Sequence, residues 1–224
     1  MIPLPRRLLA EGLGSAMLFA AVIGSGIMAE RLSLGNDAVA LLGNTLATAA
    51  MLLVLITTLG PISGAHFNPA VSLIAALRRE LRVGDAVAYI AAQLAGGLVG
   101  VAVAHTMFVM PVLMIGVKAR TGGGQWLGEG VATFALVLTI LGSVRYRPAW
   151  TPLTVAAVIT AGYWFTSSTS FANPAITLAR ALTVSFSGIR PIDAPGFIAA
   201  QFAGALLAAL IARVLFASDD TTLA

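Results

Sequence analysis

The chain has 224 residues, 58% of them hydrophobic and only 10% charged, with a mean hydropathy of +0.95; soluble domains carry about a quarter charged residues, so a water-soluble globule is excluded. A net charge of +4 would suggest nucleic acid in a soluble protein, but the lysines and arginines sit singly or in pairs between apolar runs. That pattern excludes a nucleic-acid interface and assigns the cations to orientation in a bilayer, while the absence of cysteine removes disulfides and thiolate metal sites.

A helix that crosses a bilayer needs about 20 apolar residues, and six stretches are read as spans: 8–29, 38–59, 85–108, 125–143, 152–166 and 194–216. The first follows Arg6 and Arg7, as a signal peptide would, but Glu11 lies within it and no small-residue cleavage site follows at the right distance. It is therefore expected to stay as a helix. After the second span comes Asn68-Pro69-Ala70, and after the fifth comes Asn173-Pro174-Ala175. Proline fixes its own φ, lacks an N–H and drives the preceding residue out of the helical region, so asparagine as N-cap with proline next marks a helix start. The apolar runs 69–77 and 174–182 that follow each hold nine residues, which reach about 14 Å, half a hydrocarbon core.

The order repeats. AEGLGSAMLF around Glu11 is echoed by GEGVATFALV around Glu129, HFNPAVSL by FANPAITL, and AAQLAGGLVG around Gln93 by AAQFAGALLA around Gln201, at offsets of 118, 105 and 108 residues. We read one channel domain over 1–224, with a first repeat at 6–108, a connecting loop at 109–123 and a second repeat at 124–216. Three spans per half is an odd number, so the halves cross in opposite senses, the inverted repeat of transport proteins with a site near the midplane. The fold class is an all-α membrane protein of six transmembrane helices and two re-entrant half-helices. The half-helices enter from opposite faces and meet at their N-termini. Non-helical backbone is tolerated at that depth only inside protein or along a cavity. Gly64, Ala65, His66 and Phe67, and Thr169, Ser170, Phe171 and Ala172, are therefore expected to line a lumen. Each asparagine can spend its side-chain oxygen on first-turn amides and aim its NH2 at the solute. Glu11 and Glu129 are expected to hold the loop amides, and Gly96, Gly97, Gly100 and Gly204 to allow close helix packing. His105 is expected at a membrane interface. With eight lysine or arginine residues on one side and five on the other, both termini are expected on the cytoplasmic side of an inner membrane.

Two matched NPA motifs in an inverted repeat resemble the aquaporin family, the major intrinsic proteins, over nearly the whole chain; SGAHFNPAVS is close to the family's first motif. The resemblance implies one pore per subunit and a homotetramer. It also implies a filter of one residue each from the second span, the fifth span and the second loop, with an arginine directly after the second NPA. The matching positions are Thr48, Ala161 (or, one place on, Gly162), Ser170 and Ile176. The arginine is missing, which removes five donors, and no large aromatic is expected in the ring. Arg180 could reach back to the lumen or face the outer vestibule. The form NPA-aliphatic-Thr with an arginine four residues later resembles bacterial aquaglyceroporin-like channels associated with arsenic resistance, implying passage of arsenous acid or glycerol with water. Helix dipoles at the midplane disfavour cations there. A water-selective aquaporin is the alternative. A secondary active transporter would need a coupling carboxylate, for which only Glu11 and Glu129 are available. No nucleophile shares a motif with a base, so an enzyme is not expected, and the two distant histidines make no metal or cofactor site.

Overall fold

The computed structural model describes residues 2–217; the remaining ends of the 1–224 domain, residue 1 and residues 218–224, lie outside them. Eight α-helices follow in order: α1 (Leu4–Leu32), α2 (Asp37–Ser63), α3 (Pro69–Leu77), α4 (Val83–Met107), α5 (Gly123–Tyr146), α6 (Thr151–Phe165), α7 (Pro174–Arg180) and α8 (Ala194–Leu215). Each half thus runs long, long, short, long, and no strand occurs among the described residues. The fold is an all-helical membrane architecture with two re-entrant half-helices.

Five helical segments are long and apolar enough to cross a membrane. The sixth crossing falls to α6, which has only 15 residues. A 3-10 turn at Pro148–Trp150 precedes it directly, and together they reach about 28 Å, close to the hydrocarbon thickness. Helix α2 runs beyond its expected end at residue 59, through Pro61 in its last turn, until Gly64, at φ 89°, closes it in the left-handed region. Half-helix α3 spans the expected residues, whereas α7 stops at Arg180, short of the expected 182.

Small residues set the distances between crossings. Helix α1 packs on α4 where a Cβ on Gly96 would lie 2.1 Å from the Gly12 carbonyl oxygen, and α5 packs on α8 where one on Gly204 would lie 2.2 Å from that of Gly130. Gly14 leaves room for the Phe67 ring, and Gly97 for Phe19. Phe19, Phe67, Phe171 and Phe197 share one buried cluster with Ile176, so the two halves have a common core beside the half-helices.

Candidate functional site

The two half-helices are tied to each other through their caps. The Asn68 side-chain oxygen accepts from the Ala70 amide at 2.9 Å, and that of Asn173 from Ala175 at 2.9 Å and Ile176 at 3.3 Å. The two NH2 groups cross over: Asn68 donates to the Ala172 carbonyl and Asn173 to the Phe67 carbonyl, each at 2.8 Å. An amide NH2 has two hydrogens, so each asparagine clamps the opposite loop and keeps one N–H for the cavity that both line. Pro69, Ala70, Pro174 and Ala175 form the first helical turns and are buried.

The loops before each cap are held in an unusual backbone. Ala65, Phe67, Thr169, Ser170 and Ala172 all have positive φ, as does Gly64, a conformation that costs an L-residue about 1–2 kcal/mol. The compensation comes from two buried carboxylates. Glu11 Oε1 accepts from the His66 amide (3.0 Å) and Ser63 hydroxyl (2.6 Å), and Oε2 from the Phe67 amide and Gln93 amide group (2.8 Å each). Glu129 does the same for Phe171 (2.8 Å), Ala172 (2.9 Å) and Gln201 (2.6 Å). Bonds to an ionised acceptor are about twice as strong as neutral ones. All four oxygens are thus committed within their own half of the chain.

A cavity of about 290 Å³ passes this junction. It opens between Glu80, Val144 and Thr151, runs past Gly64, Ala65, His66, Phe67 and the two asparagines, and ends at Thr48, Tyr163, Ser170, Phe171, Ala172 and Ile176. Leu18, Val22, Leu52, Ile56, Leu136 and Ile159 make the wall apolar opposite the loops. His66 is oriented by a 3.0 Å contact between Nδ1 and the Ser72 hydroxyl.

Several sequence expectations need correction. Ala161 is exposed and does not line the cavity. The register of α6 turns Gly162 and Tyr163 inward instead: a Cβ on Gly162 would lie 2.5 Å from the Ser170 hydroxyl, and the Tyr163 hydroxyl meets that of Thr48 at 3.3 Å. A large aromatic therefore does line the cavity beside Thr48. Thr169 is turned away and meets Arg120 Nη1 at 3.4 Å. Ser170 lines the cavity as expected, while the nearby Thr166 and Ser167 hydroxyls donate to the Gly162 and Gly124 carbonyls. His105, in the last turn of α4, is fully buried in protein, within 2.9 Å of the Val112 carbonyl and of the Thr183 hydroxyl.

Neither Tyr163 nor Arg120 was found in the sequence. The first depends on one step of helical register, and the second lies in a connecting loop with no motif. Arg120 is buried, donating to the Gly188 (2.9 Å), Ser168 (3.3 Å) and Phe186 (3.3 Å) carbonyls. Burial pushes its guanidinium down to about 10, which leaves it charged at neutral pH. Arg180 is also buried, donates from Nε to the Ser187 carbonyl, and does not line the cavity.

A bundle of crossings around two capped half-helices, with a lumen at their junction, defines a membrane pore protein. The major intrinsic protein family matches residues 2–170, and the chain belongs to that family; its aquaglyceroporin channels are not enzymes. Aquaglyceroporin AqpS of Rhizobium meliloti is 56% identical over 212 residues, 95% of this chain and 91% of that protein. The glycerol uptake facilitator protein-like 6 of Lactiplantibacillus plantarum is 28% identical, over 96% of this chain and all of that one. In fold, the chain is similar to the X-ray structure of the aquaglyceroporin from Plasmodium falciparum, with a TM-score of 0.75 at 21% identity, covering 96% and 98% of the two chains.

Proposed function

We propose that the protein is a passive channel for small neutral hydroxylated solutes, glycerol and arsenous acid, with water as co-permeant. The observation that carries this reading is the two-sided lumen. One wall is aliphatic, and the other presents His66, Asn68, Asn173 and Ser170 from the re-entrant loops. A polyol lays its carbon edge on the first and its hydroxyls on the second, and replaces its hydration in passing. Arsenous acid is compact and carries three hydroxyls, so it fits the same pattern. Ile176 at the filter position adds apolar surface where an arginine would add donors. The 56% identity to a protein named as an aquaglyceroporin supports the same class of solute.

The reading includes the assembly and setting that go with it: a homotetramer with one pore per subunit, both chain ends facing the cytoplasm, and two repeats over 6–108 and 124–216. Tyr163 favours a second reading, a narrower and water-selective pore. Swelling of proteoliposomes under inward gradients of glycerol, arsenous acid and sucrose separates the two. The proposal expects swelling with the first two and none with sucrose, unchanged by a proton gradient. Water flow without solute entry would establish the narrower pore, and gradient-driven uptake would make the protein a coupled transporter.

A further inference from the structure

The channel reading leaves a gap, because a lumen with isoleucine at the filter position has no cation of its own at that level. We propose that Arg180 and Arg120, acting from behind Phe171, supply the positive charge that keeps protons and other cations out of this pore.

Residues four apart share a helix face, so Arg180 lies one turn beyond Ile176 on the same side of α7. Helical side chains lean toward the N-terminus, which brings the Arg180 guanidinium back over the Phe171 ring, 3.4 Å from its centroid. Arg120 reaches the same ring from the α4–α5 connection, at 5.1 Å. Phe171 itself lines the end of the cavity and is braced edge-on by Phe197 at 5.0 Å. Both guanidiniums therefore stand one aromatic ring away from the permeation path.

Their charge is only partly offset. Arg180 is 1% exposed and Arg120 4%, and neither belongs to any of the three salt bridges among the described residues. The buried acid of that half, Glu129, acts on both cations without bonding to either, since its oxygens hold the Phe171 and Ala172 amides and Gln201, so two cations face one carboxylate. Carbonyls of Ser187, Gly188, Ser168 and Phe186 solvate the cations, but dipoles carry no net charge. Two like charges buried together with no direct ion pair are unfavourable for folding alone, and an ionisable group within the membrane by default marks a functional site. In this poorly screened setting their field extends across the ring into the lumen. It repels a cation and leaves a neutral polyol untouched.

The test rests on the channel reading and keeps the two claims apart. Full-length wild type, Arg180→Leu, Arg180→Lys, Arg120→Gln and the double variant Arg180→Leu with Ile176→Arg are reconstituted. Proton entry under a potassium diffusion potential is then divided by osmotic water flow in the same vesicles, with glycerol swelling recorded alongside. The expected ratio is low in wild type and rises roughly ten-fold or more in Arg180→Leu. It stays near wild type in Arg180→Lys and falls back when Ile176→Arg restores a cation at the ring. Arg120→Gln, which keeps side-chain donors but loses the charge, is expected to raise the ratio and serves alone if Arg180→Leu does not fold. A ratio unmoved by either neutral variant overturns the inference, as does an equal rise in Arg180→Lys or a wild type that already conducts protons freely. A wild type that passes no glycerol overturns the channel reading instead.

Discussion

Glu129 shows how single side chains make the pore wall. Its carboxylate holds the Phe171 and Ala172 amides at 2.8 and 2.9 Å, in a loop whose Ser170 and Ala172 have positive φ. Glu129→Gln replaces one acceptor oxygen by a donor that faces donors, and should lower stability by about 3 kcal/mol. Thermal unfolding of the purified protein in detergent checks this; an unchanged midpoint would mean that the loop holds its shape without the carboxylate. At the ring, Tyr163→Ala removes the phenol that meets Thr48 and should admit four-carbon polyols more readily, measured as swelling relative to glycerol. The caps and carboxylates were legible in the sequence because a proline, an asparagine and a buried acid each have one local use. Three of the four expected ring positions, Thr48, Ser170 and Ile176, line the end of the cavity, but Ala161 does not. Turning a helix by one residue shifts the lining by about 100°, and counting back from Asn173 through an irregular loop cannot fix that angle.

At the level of elements, the same small residues recur in both halves. Gly96 sits against Gly12 and Gly204 against Gly130, with no room for a methyl group. Gly96→Val and Gly204→Val should therefore abolish a monodisperse peak in size-exclusion chromatography. Gly84→Ala, where nothing lies within 4 Å, should leave the peak intact. The start of each half-helix could be read from its asparagine and proline, since both act within one turn. The end of α7 could not, because it is set by tertiary contacts: the Ile189 amide turns back to the Arg180 carbonyl, and Gly116 to Ala181. Likewise, α6 falls short of a full crossing, and its 3-10 lead-in follows from Pro148, whose effect depends on where the chain enters the bundle.

For the whole molecule, the odd number of crossings per half is what lets two like sequences meet head to head. Absence of cysteine makes the proposed orientation directly readable. Thr121→Cys in the α4–α5 connection should react with an impermeant thiol reagent on intact cells, and Ala149→Cys between α5 and α6 should react only after lysis. The general layout was legible from composition, repeat offsets and two tripeptides. The place of Arg120 was not, since it is acquired only when the loop folds over Phe171. The claim that the lumen passes neutral solutes because its ring lacks arginine is tested most directly by stopped-flow glycerol permeability of wild type and Ile176→Arg in proteoliposomes, each relative to water. The account predicts rapid glycerol entry in wild type and a fall of about ten-fold or more in Ile176→Arg with water flow largely kept, since a charged donor fork would narrow and hydrate the ring. Equal glycerol-to-water ratios in the two proteins would contradict it.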